Sequence, residues 1–324
     1  MERAFLPPQL DAPSAFHFTE ALSRLVSEDS VVIDFSKVAA AEPFGLLVAG
    51  TALRDFFKKR QGESTGADGV RAGDPMHEYL AYLGFFNWIA LPIGKTPGAV
   101  AGGTNWMPIT ILTRAELESR MRETSRPLGH VVQVECEHFA RLITRKNELK
   151  VNAPLAYCLR EVIRNVFEHA ETNRCAVCAQ RLPDGSVELA VVDAGRGIRL
   201  SLQEKHAVSG DLEALEQALR PGVSRNLSSD PDDPWGNSGF GLYVLSELGR
   251  ALGTFRIASG AAVCTLSTNG NADGSAVFNG TAVQLRLKPP KGTNFTDFIA
   301  RIVEKGESSS TGTHPHRASR STKL

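Results

Sequence analysis

The most regular pattern in the chain is a helical stretch, residues 159–170, in which apolar and polar positions separate onto opposite sides. At about 100° per residue one side is apolar, and the other carries Glu161, Asn165, Glu168 and His169. An exposed helix face usually carries Lys and Glu in salt-bridging pairs. A carboxylate, a carboxamide and an imidazole on one face instead indicate a site for an ion and phosphate groups.

Weaker patterns predict the elements around this helix. Short apolar or alternating runs predict strands, and apolar residues at three- and four-residue spacing predict helices. Strands are predicted at residues 31–35, 106–112, 175–182, 187–192 and 280–287. Helices are predicted at residues 44–60, 76–86, 130–144, 159–170, 211–219 and 242–252, with a short amphipathic piece at 295–303. The expected fold class is therefore α/β.

Proline and glycine positions suggest where these elements begin and end. Asn152 and Pro154 would cap and open the polar-faced helix, and residues 61–75 read as a polar loop. Pro and Gly around residues 124–129 indicate a domain junction. We expect a smaller α/β domain at 1–126, a second domain at 127–290, and a short helix with a disordered tail at 291–324. The tail cannot bury enough apolar surface to become ordered.

Composition limits the function classes. A chain of 324 residues with 42% hydrophobic content can form two cores. Its 36 basic and 36 acidic side chains cancel, so no general attraction to nucleic acid or to a membrane surface is expected. No apolar run approaches the roughly 20 residues that span a bilayer, and the N-terminus lacks a signal pattern. A soluble, cytoplasmic protein is expected.

Five scattered cysteines form no disulfide framework, which suits a reducing compartment. Cys175 and Cys178 have the spacing of a zinc knuckle or a redox motif. The turn at residues 183–185 and the following apolar run favour a hairpin, which would point the two side chains to opposite faces of a sheet. Because no second Cys/His pair lies nearby, we favour a structural role for both.

Chemically distinctive residues follow the polar-faced helix in a fixed order. Asp193 ends a predicted strand and is followed by Gly195 and Gly197, where a carboxylate could accept from an amine and the backbone could approach a planar ring. Gly239 and Gly241 lead directly into a helix, and glycine-rich backbone at a helix N-terminus binds anions. Neither pair continues as G-x-G-x-x-G, and residues 94–96 lack the first glycine of a P-loop.

The last motif is the strand predicted at 280–287, which carries the hydroxyl of Thr281 near its start. Together with the polar-faced helix, the Asp193 loop and the Gly239/Gly241 pair it makes four motifs, which in this order over residues 130–290 resemble the GHKL superfamily of ATP-binding domains. That superfamily includes sensor histidine kinases, gyrase, MutL-type repair proteins and anti-sigma-factor kinases, and the resemblance is closest to the last group. It implies a two-layer α/β sandwich of the Bergerat type that binds ATP and Mg²⁺. The segment between the glycine pairs, residues 199–235, would be a mobile lid, from which Arg220 or Arg225 would reach the γ-phosphate.

The resemblance also implies a role for each matching residue. Asn165 would be the Mg²⁺ ligand through its amide oxygen, and Glu161 the general base. Asp193 would accept from the adenine amino group, supported by Thr281. The glycines would line the ring or contact the phosphates: Gly195 and Gly197 the ring, Gly239 and Gly241 the phosphates. No histidine stands in a phospho-acceptor pattern, so autophosphorylation on histidine is not expected.

The N-terminal half has a weaker resemblance to STAS domains, the fold of anti-sigma-factor antagonists, through its strand at 31–38 and the helix at 44–60. Where phosphorylatable antagonists carry Ser before Gly, this chain has Glu42, Pro43, Phe44 and Gly45. Without a hydroxyl there, the resemblance implies no built-in phosphorylation switch. An ordinary α/β lobe that docks on the ATP-binding half is the alternative.

The expected function is regulatory: ATP-Mg²⁺ binding with slow hydrolysis or phosphoryl transfer. Two alternatives stay open. One is a nucleotide-gated protein-interaction module without significant catalysis, and the other is a serine/threonine kinase acting on a separate antagonist-like protein. ATP and a regulatory protein partner are the expected ligands, nucleic acid and membrane are not, and the sequence leaves homodimer formation open.

Overall fold

The computed structural model of the protein describes residues 1–99, 105–144, 149–223, 239–288 and 295–309. Its fold is mixed α/β, with one parallel three-stranded sheet, one antiparallel five-stranded sheet and a short two-stranded pair. The predicted α/β class is confirmed at this level.

The N-terminal third forms helices around the parallel sheet, whose strand order is β1-β3-β5. Its elements are β1 (Glu2–Phe5), β2 (Gln9–Leu10), α1 (Ala12–Arg24), β3 (Ser30–Asp34), β4 (Ala40–Ala41), α2 (Pro43–Lys59), β5 (Ser64–Asp68), α3 (Pro75–Leu83) and α4 (Phe85–Trp88). The first helix begins at a capping box. The Asp11 carboxylate accepts from the Ser14 backbone N–H, and the Ser14 hydroxyl accepts from the Asp11 backbone N–H.

Two sequence predictions in this layer need correction. The predicted loop at residues 61–75 contains β5, which pairs in parallel with β3. Most of β5 is exposed, so its sequence has no alternation of apolar and polar residues from which a strand could be predicted. The strand forms through backbone pairing with β3. The helix predicted at 76–86 is two helices, because Gly84 adopts a left-handed conformation, φ 86°, that ends α3.

The rest of the chain builds the antiparallel sheet and the helices on one of its faces. Its elements are β6 (Trp106–Thr113), α5 (Arg114–Thr124), α6 (Leu128–Ile143), α7 (Leu149–His169), β7 (Arg174–Arg181), β8 (Val187–Asp193), α8 (Gly197–Leu202), α9 (Asp211–Ala218), α10 (Gly241–Leu252), β9 (Gly253–Ser267), β10 (Gly270–Leu287) and α11 (Phe295–Ser309). The strand order is β6-β7-β8-β10-β9. The predicted hairpin is confirmed as β7 and β8.

The first strand of this sheet lies before the predicted domain junction at residues 126/127. β6 pairs with β7, so that Ile111 lies opposite Ala176. The junction predicted from Pro and Gly therefore does not coincide with the division between the two larger sheets. Proline and glycine mark where the local chain path turns, whereas sheet membership depends on pairing with strands far along the chain.

Both faces of the five-stranded sheet are buried. Cys175 and Val177 belong to the core shared with α6, α7, α10 and α11, whereas Ala176 and Cys178 belong to the core shared with α1 and α2. The prediction that Cys175 and Cys178 point to opposite faces is thus confirmed. All five cysteines are buried and unpaired, as expected of structural thiols. The N-terminal layer, the sheet and the C-terminal helices therefore stack as three layers.

The helices bordering the site differ from the sequence prediction in their ends. Because α7 begins at Leu149 and contains Pro154, the start predicted at Asn152 is wrong by three residues. The last helix, α11, is longer than predicted and ends at Ser309. Residues 306–309, the start of the tail predicted at 306–324, belong to this helix, so the prediction of disorder is wrong for them; residues 310–324 lie outside the described residues. Within the described ranges, no helix is long and apolar enough to cross a bilayer.

Candidate functional site

A cleft of about 90 Å³ opens between α7, α8, α10 and the helix-covered face of the antiparallel sheet. Most of its wall is apolar. The apolar lining comes from Val162, Val166, Ala170, Val191, Ile198, Leu202, Ala218, Val223, Leu242, Ile257 and Val283. Polar side chains are few: Asn165 and His169 in the C-terminal half of α7, Asp193 at the end of β8, Ser201 on α8 and Thr281 on β10. A narrow apolar slot with a few polar groups is the form that binding sites for small molecules usually take.

Six of the eight predicted site residues line this cleft, although they come from five separate segments of the chain. The six are Asn165, Asp193, Gly197, Gly239, Gly241 and Thr281. Glu161 and Gly195 are not in its lining. The helical periodicity of α7 accounts for Asn165, which lies one turn after Glu161 and one turn before His169, another lining residue.

Asp193 ends β8 at the base of the cleft, opposite Thr281 in the register with β10. Its side chain is 4% exposed, and its Oδ1 accepts from the Gly195 backbone N–H at 2.8 Å. Burial raises the pKa of Asp193 to about 6, although hydrogen bonds from Gly195 and Thr281 act in the opposite direction. A buried carboxylate with partners on the protein side is well placed to receive a further donor from a ligand.

Glycines allow the loop after Asp193 to run close to its neighbours. A side chain at Gly195 would overlap the Ala170 carbonyl oxygen at the end of α7, so this glycine supports the wall from behind. Gly197 has φ +78°, a conformation that favours glycine. Next to it, the Ser259 hydroxyl accepts from the Ile198 N–H at 3.0 Å and donates to the Gly280 carbonyl at 2.7 Å.

Ser259 was missed by the sequence analysis. It lies on β9, a strand that was not predicted. Its hydroxyl links Ile198 in the glycine loop, 61 residues earlier in the chain, to Gly280 on β10. Neither its residue type nor its spacing marks it out, because serine within an apolar strand is common. The signal could have come only from knowing that β9 and β10 are neighbours.

The second glycine pair lies at the N-terminus of α10. Gly239 has φ +71°, and its carbonyl accepts from the Gly222 N–H at 3.1 Å. Gly241 starts α10, which places its backbone at the positive end of that helix. Residues 224–238, which include part of the predicted lid and Arg225, lie outside the described residues. Arg220 is exposed and is not in the cleft lining.

The described part of the predicted lid consists of α8 and α9, and it packs beside the cleft. Leu202, Val208, Ala214 and Ala218 form a small core of their own there. Asp211 fixes α9 to the sheet, because its Oδ2 accepts from the Ala261 N–H at 2.8 Å. The helix predicted at 211–219 is confirmed as α9.

Glu161 lies directly behind Gly241, outside the cleft. Its side chain is 1% exposed and pairs with Arg164 at 2.8 Å and with Arg160 at 3.0 Å. A Cβ built on Gly241 would lie 2.5 Å from Oε2 of Glu161. The stripe of polar residues on α7 therefore divides: Asn165 and His169 face the cleft, and Glu161 faces a buried ion-pair cluster.

Within the part of the chain that the structure describes, no three His, Cys, Asp or Glu side chains come together as a metal site. Asn165 lines the cleft, and its carboxamide carries one oxygen that could serve as a ligand. A protein-only metal cage of carboxylates or histidines is therefore absent from the described residues. An ion that takes most of its ligands from phosphate and water would fit this donor set.

Comparison with known proteins gives no further assignment. Profiles of known families, curated proteins and solved structures were each searched, and none matches the chain.

Proposed function

We propose that the cleft binds ATP. The observation that carries this proposal is that the buried Asp193 and the half-buried Thr281, its partner in the β8–β10 register, line the same apolar cleft as Gly239 and Gly241 at the start of α10. An adenine ring would lie in the slot and donate from its exocyclic amine to Asp193. The phosphates would then lie at the positive end of α10, next to two residues without side chains.

The size and polarity of the slot support this orientation. The cleft has a volume of about 90 Å³, and one water molecule needs about 10–15 Å³ of such space. The cleft can therefore hold several groups the size of a water molecule, which is comparable with a flat ring system. Apolar side chains on both walls would remove both faces of the ring from water. Phosphates, in contrast, need donors, and the peptide N–H groups near Gly241 would supply them.

We further propose a GHKL-type domain in this half of the chain and a diverged STAS-like domain in the N-terminal third. Support for the first is the antiparallel sheet with α6, α7 and α10 packed on one face and the motifs gathered at one cleft. Support for the second is the parallel β1-β3-β5 sheet with α2 next to it. The N-cap of α2 is Glu42, which offers no hydroxyl for phosphorylation.

When bound with ATP, Mg²⁺ would neutralise phosphate charge. Asn165 is the residue that would hold it, through the amide oxygen. The chain itself would orient the nucleotide through Asp193 and exclude water from the ring through the apolar wall. The side chain of His169, whose Nε2 lies 3.7 Å from Glu168, would border the same space.

Slow hydrolysis or phosphoryl transfer would require Glu161 to accept a proton from the attacking group. In the described structure this carboxylate is held by Arg160 and Arg164 and separated from the cleft by Gly241. That position favours the second candidate function, a nucleotide-gated interaction module, in which ATP would change the lid and partner binding. Transfer to a serine or threonine of a partner protein would have the same requirement for Glu161.

Replacing Asp193 by Ala tests nucleotide binding. Loss of the acceptor should weaken binding of a non-hydrolysable ATP analogue by about ten- to a hundredfold, corresponding to roughly 1–3 kcal/mol. Isothermal titration calorimetry in the presence of Mg²⁺ measures the affinity for the analogue. GTP, whose ring has a carbonyl where adenine has its amine, should bind to the wild type more weakly than ATP. Asp29→Ala, which removes an exposed carboxylate, is the matched control. Equal affinity of the Asp193 variant and the wild type would refute the proposal.

Steady-state phosphate release separates the two candidate uses of ATP. Glu161→Gln keeps the shape of the side chain but removes its capacity as a base. If Glu161 acts in catalysis, release should fall at least tenfold while binding of the ATP analogue is retained. Equal rates in variant and wild type would leave the gated module as the function, and measurable transfer of labelled phosphate to a partner would favour the kinase.

A further inference from the structure

A second cleft, of about 820 Å³, lies on the other side of the antiparallel sheet. It separates α1, α2 and α4 of the N-terminal layer from the edge where β7 begins and β8 ends. Its lining includes the basic residues Arg54, Lys58 and Arg174 and the aromatic residues Trp88 and Phe278. Nothing in the proposed ATP site accounts for this space.

Positive charge dominates the lining. Arg54 comes from α2 and Arg174 from the first residue of β7, so the two guanidinium groups face the cleft from opposite layers. Neither forms an ion pair with a carboxylate among the described residues. Arg54 donates to the Trp88 carbonyl, which orients it without neutralising its charge.

The carboxylates in this cleft already have partners. Asp55 pairs with Lys59 at 2.7 Å and accepts from the Asn279 amide at 2.9 Å. Asp193 accepts from the Gly195 N–H on its own loop. The bond from a neutral N–H leaves the charge of Asp193 in place. With Asp55 and Lys59 paired, Lys58 and the two arginines still outnumber this one carboxylate, so the lining carries a net positive charge.

The two arginines also affect one another. Burial lowers the pKa of Arg54, and the nearby charge of Arg174 lowers it further. Repulsion between guanidinium groups that face one space is relieved when an anion lies between them. The guanidinium fork binds carboxylate and phosphate oxygens in pairs, which a single ammonium group cannot do.

Part of the remaining wall is apolar. Trp88 and Phe278 belong to it but are mostly buried, at 7% and 3% exposure, so the apolar surface that meets water comes from the half-buried Val26 and Ile111 and from Val277, which is 43% exposed. An inorganic ion alone would leave this surface in contact with water. A ligand that joins an anionic group to an apolar or aromatic body would cover both parts of the cleft.

We propose that this second cleft binds a small organic anion, whose carboxylate or phosphate group lies between Arg54 and Arg174 and whose apolar body packs against Ile111 and Val277. The proposal does not depend on ATP binding. Asp193 lies in the wall of both clefts, so such a ligand would contact the strand end that also forms the base of the first one.

Isothermal titration of the full chain without nucleotide tests this proposal with three probes: phenyl phosphate, benzoate and the neutral benzyl alcohol. At least one anionic probe should bind, and benzyl alcohol should bind at least about tenfold more weakly. Tighter binding of phenyl phosphate identifies a phosphate site, and tighter binding of benzoate a carboxylate site. No binding of either anion at millimolar concentration, or equal binding of benzyl alcohol, would overturn the proposal.

Charge-removing variants locate the site. Arg54→Gln and Arg174→Gln should each weaken the anionic probe by about tenfold. Arg122→Gln removes the same charge from an exposed position on α5 and should leave affinity unchanged. Arg174 is exposed and makes no side-chain bond among the described residues, so Arg174→Gln should keep the thermal midpoint of the wild type even if Arg54→Gln does not. Wild-type affinity in Arg174→Gln would place the anion elsewhere and refute the assignment.

Discussion

We expect Glu188 to make the stability of the folded chain depend on pH. It lies on β8 with its side chain fully buried, and its Oε1 accepts from the Phe44 N–H at 3.0 Å, at the start of α2. Burial raises the pKa of Glu188 to about 7, and the charge of Glu42 acts in the same direction. Hydrogen bonds from Phe44 and Gln284 oppose this increase only in part.

The magnitude follows from linkage between protonation and folding. The ordinary pKa of a glutamate is 4.5, and in the folded chain it is about 7. At about 1.4 kcal/mol for each pH unit, the difference corresponds to about 3 kcal/mol of unfolding free energy. Below pH 4.5 the group is protonated in both states. As pH rises from 4.5 to 7 the unfolded chain ionises first, so stability falls, and above pH 7 the loss is complete.

Glu188→Gln should remove this dependence, since the amide keeps the oxygen that accepts from Phe44 but does not ionise. Urea unfolding at pH 4.5 and pH 8 measures the free energy of both proteins. The variant should gain about 3 kcal/mol relative to the wild type between the two pH values. Glu28→Gln, at an exposed position of the same layer, should follow the wild type at both. Parallel pH curves for wild type and Glu188→Gln would refute the reasoning.

Two glycine replacements test close backbone approaches. A side chain at Gly45 would overlap the Leu10 carbonyl, so Gly45→Ala should lower the free energy of unfolding by about 2 kcal/mol, measured in urea. At Gly66 an added Cβ would meet only the Val32 side chain, at an ordinary contact distance of 3.7 Å, so Gly66→Ala should change the free energy of unfolding by less than about 0.5 kcal/mol. Equal changes in the two variants would contradict the overlap at Gly45. In Gly239→Ala, strain at φ +71° and a Cβ 2.7 Å from the Gly222 carbonyl carbon should weaken ATP-analogue binding about tenfold, and unchanged affinity would count against a role of this turn in binding.

Much of the cleft was predictable from local sequence. The apolar spacing of α7 and α10, the β7–β8 hairpin and the position of Asp193 at a strand end each depend on residues close together in the chain. Helical and strand periodicities report such local order directly. These signals therefore identified six residues that the structure brings to one cleft, even though the segments that carry them are far apart.

Other features depended on contacts that no local pattern records. The strand β5 consists largely of exposed polar and small residues, so its pairing with β3 is visible only in three dimensions. The helix α5 was also not predicted. The sequence does contain a capping box at its start, formed by Thr113 and Glu116, but the apolar spacing along the helix is too weak to predict it from periodicity.

Tertiary structure also decided which polar residues of α7 face the cleft. Sequence spacing placed Glu161 and Asn165 on one face, one turn apart. The structure puts Asn165 in the cleft and turns Glu161 towards Arg160 and Arg164 behind Gly241. Which of two neighbouring polar groups meets a ligand depends on the partner that covers each one, here α10.

The sequence by itself determined the elements with a clear apolar periodicity, among them α7, α10 and the β7–β8 hairpin, and the order of the candidate motifs, because amphipathic spacing is a local property. Only the tertiary structure decided that β6 joins the C-terminal sheet, that Glu188 meets α2, and that Arg54 and Arg174 face one cleft. Each of these outcomes joins residues more than 60 positions apart. They arise because both faces of one sheet must be covered, and the choice of what covers them is made by the whole chain.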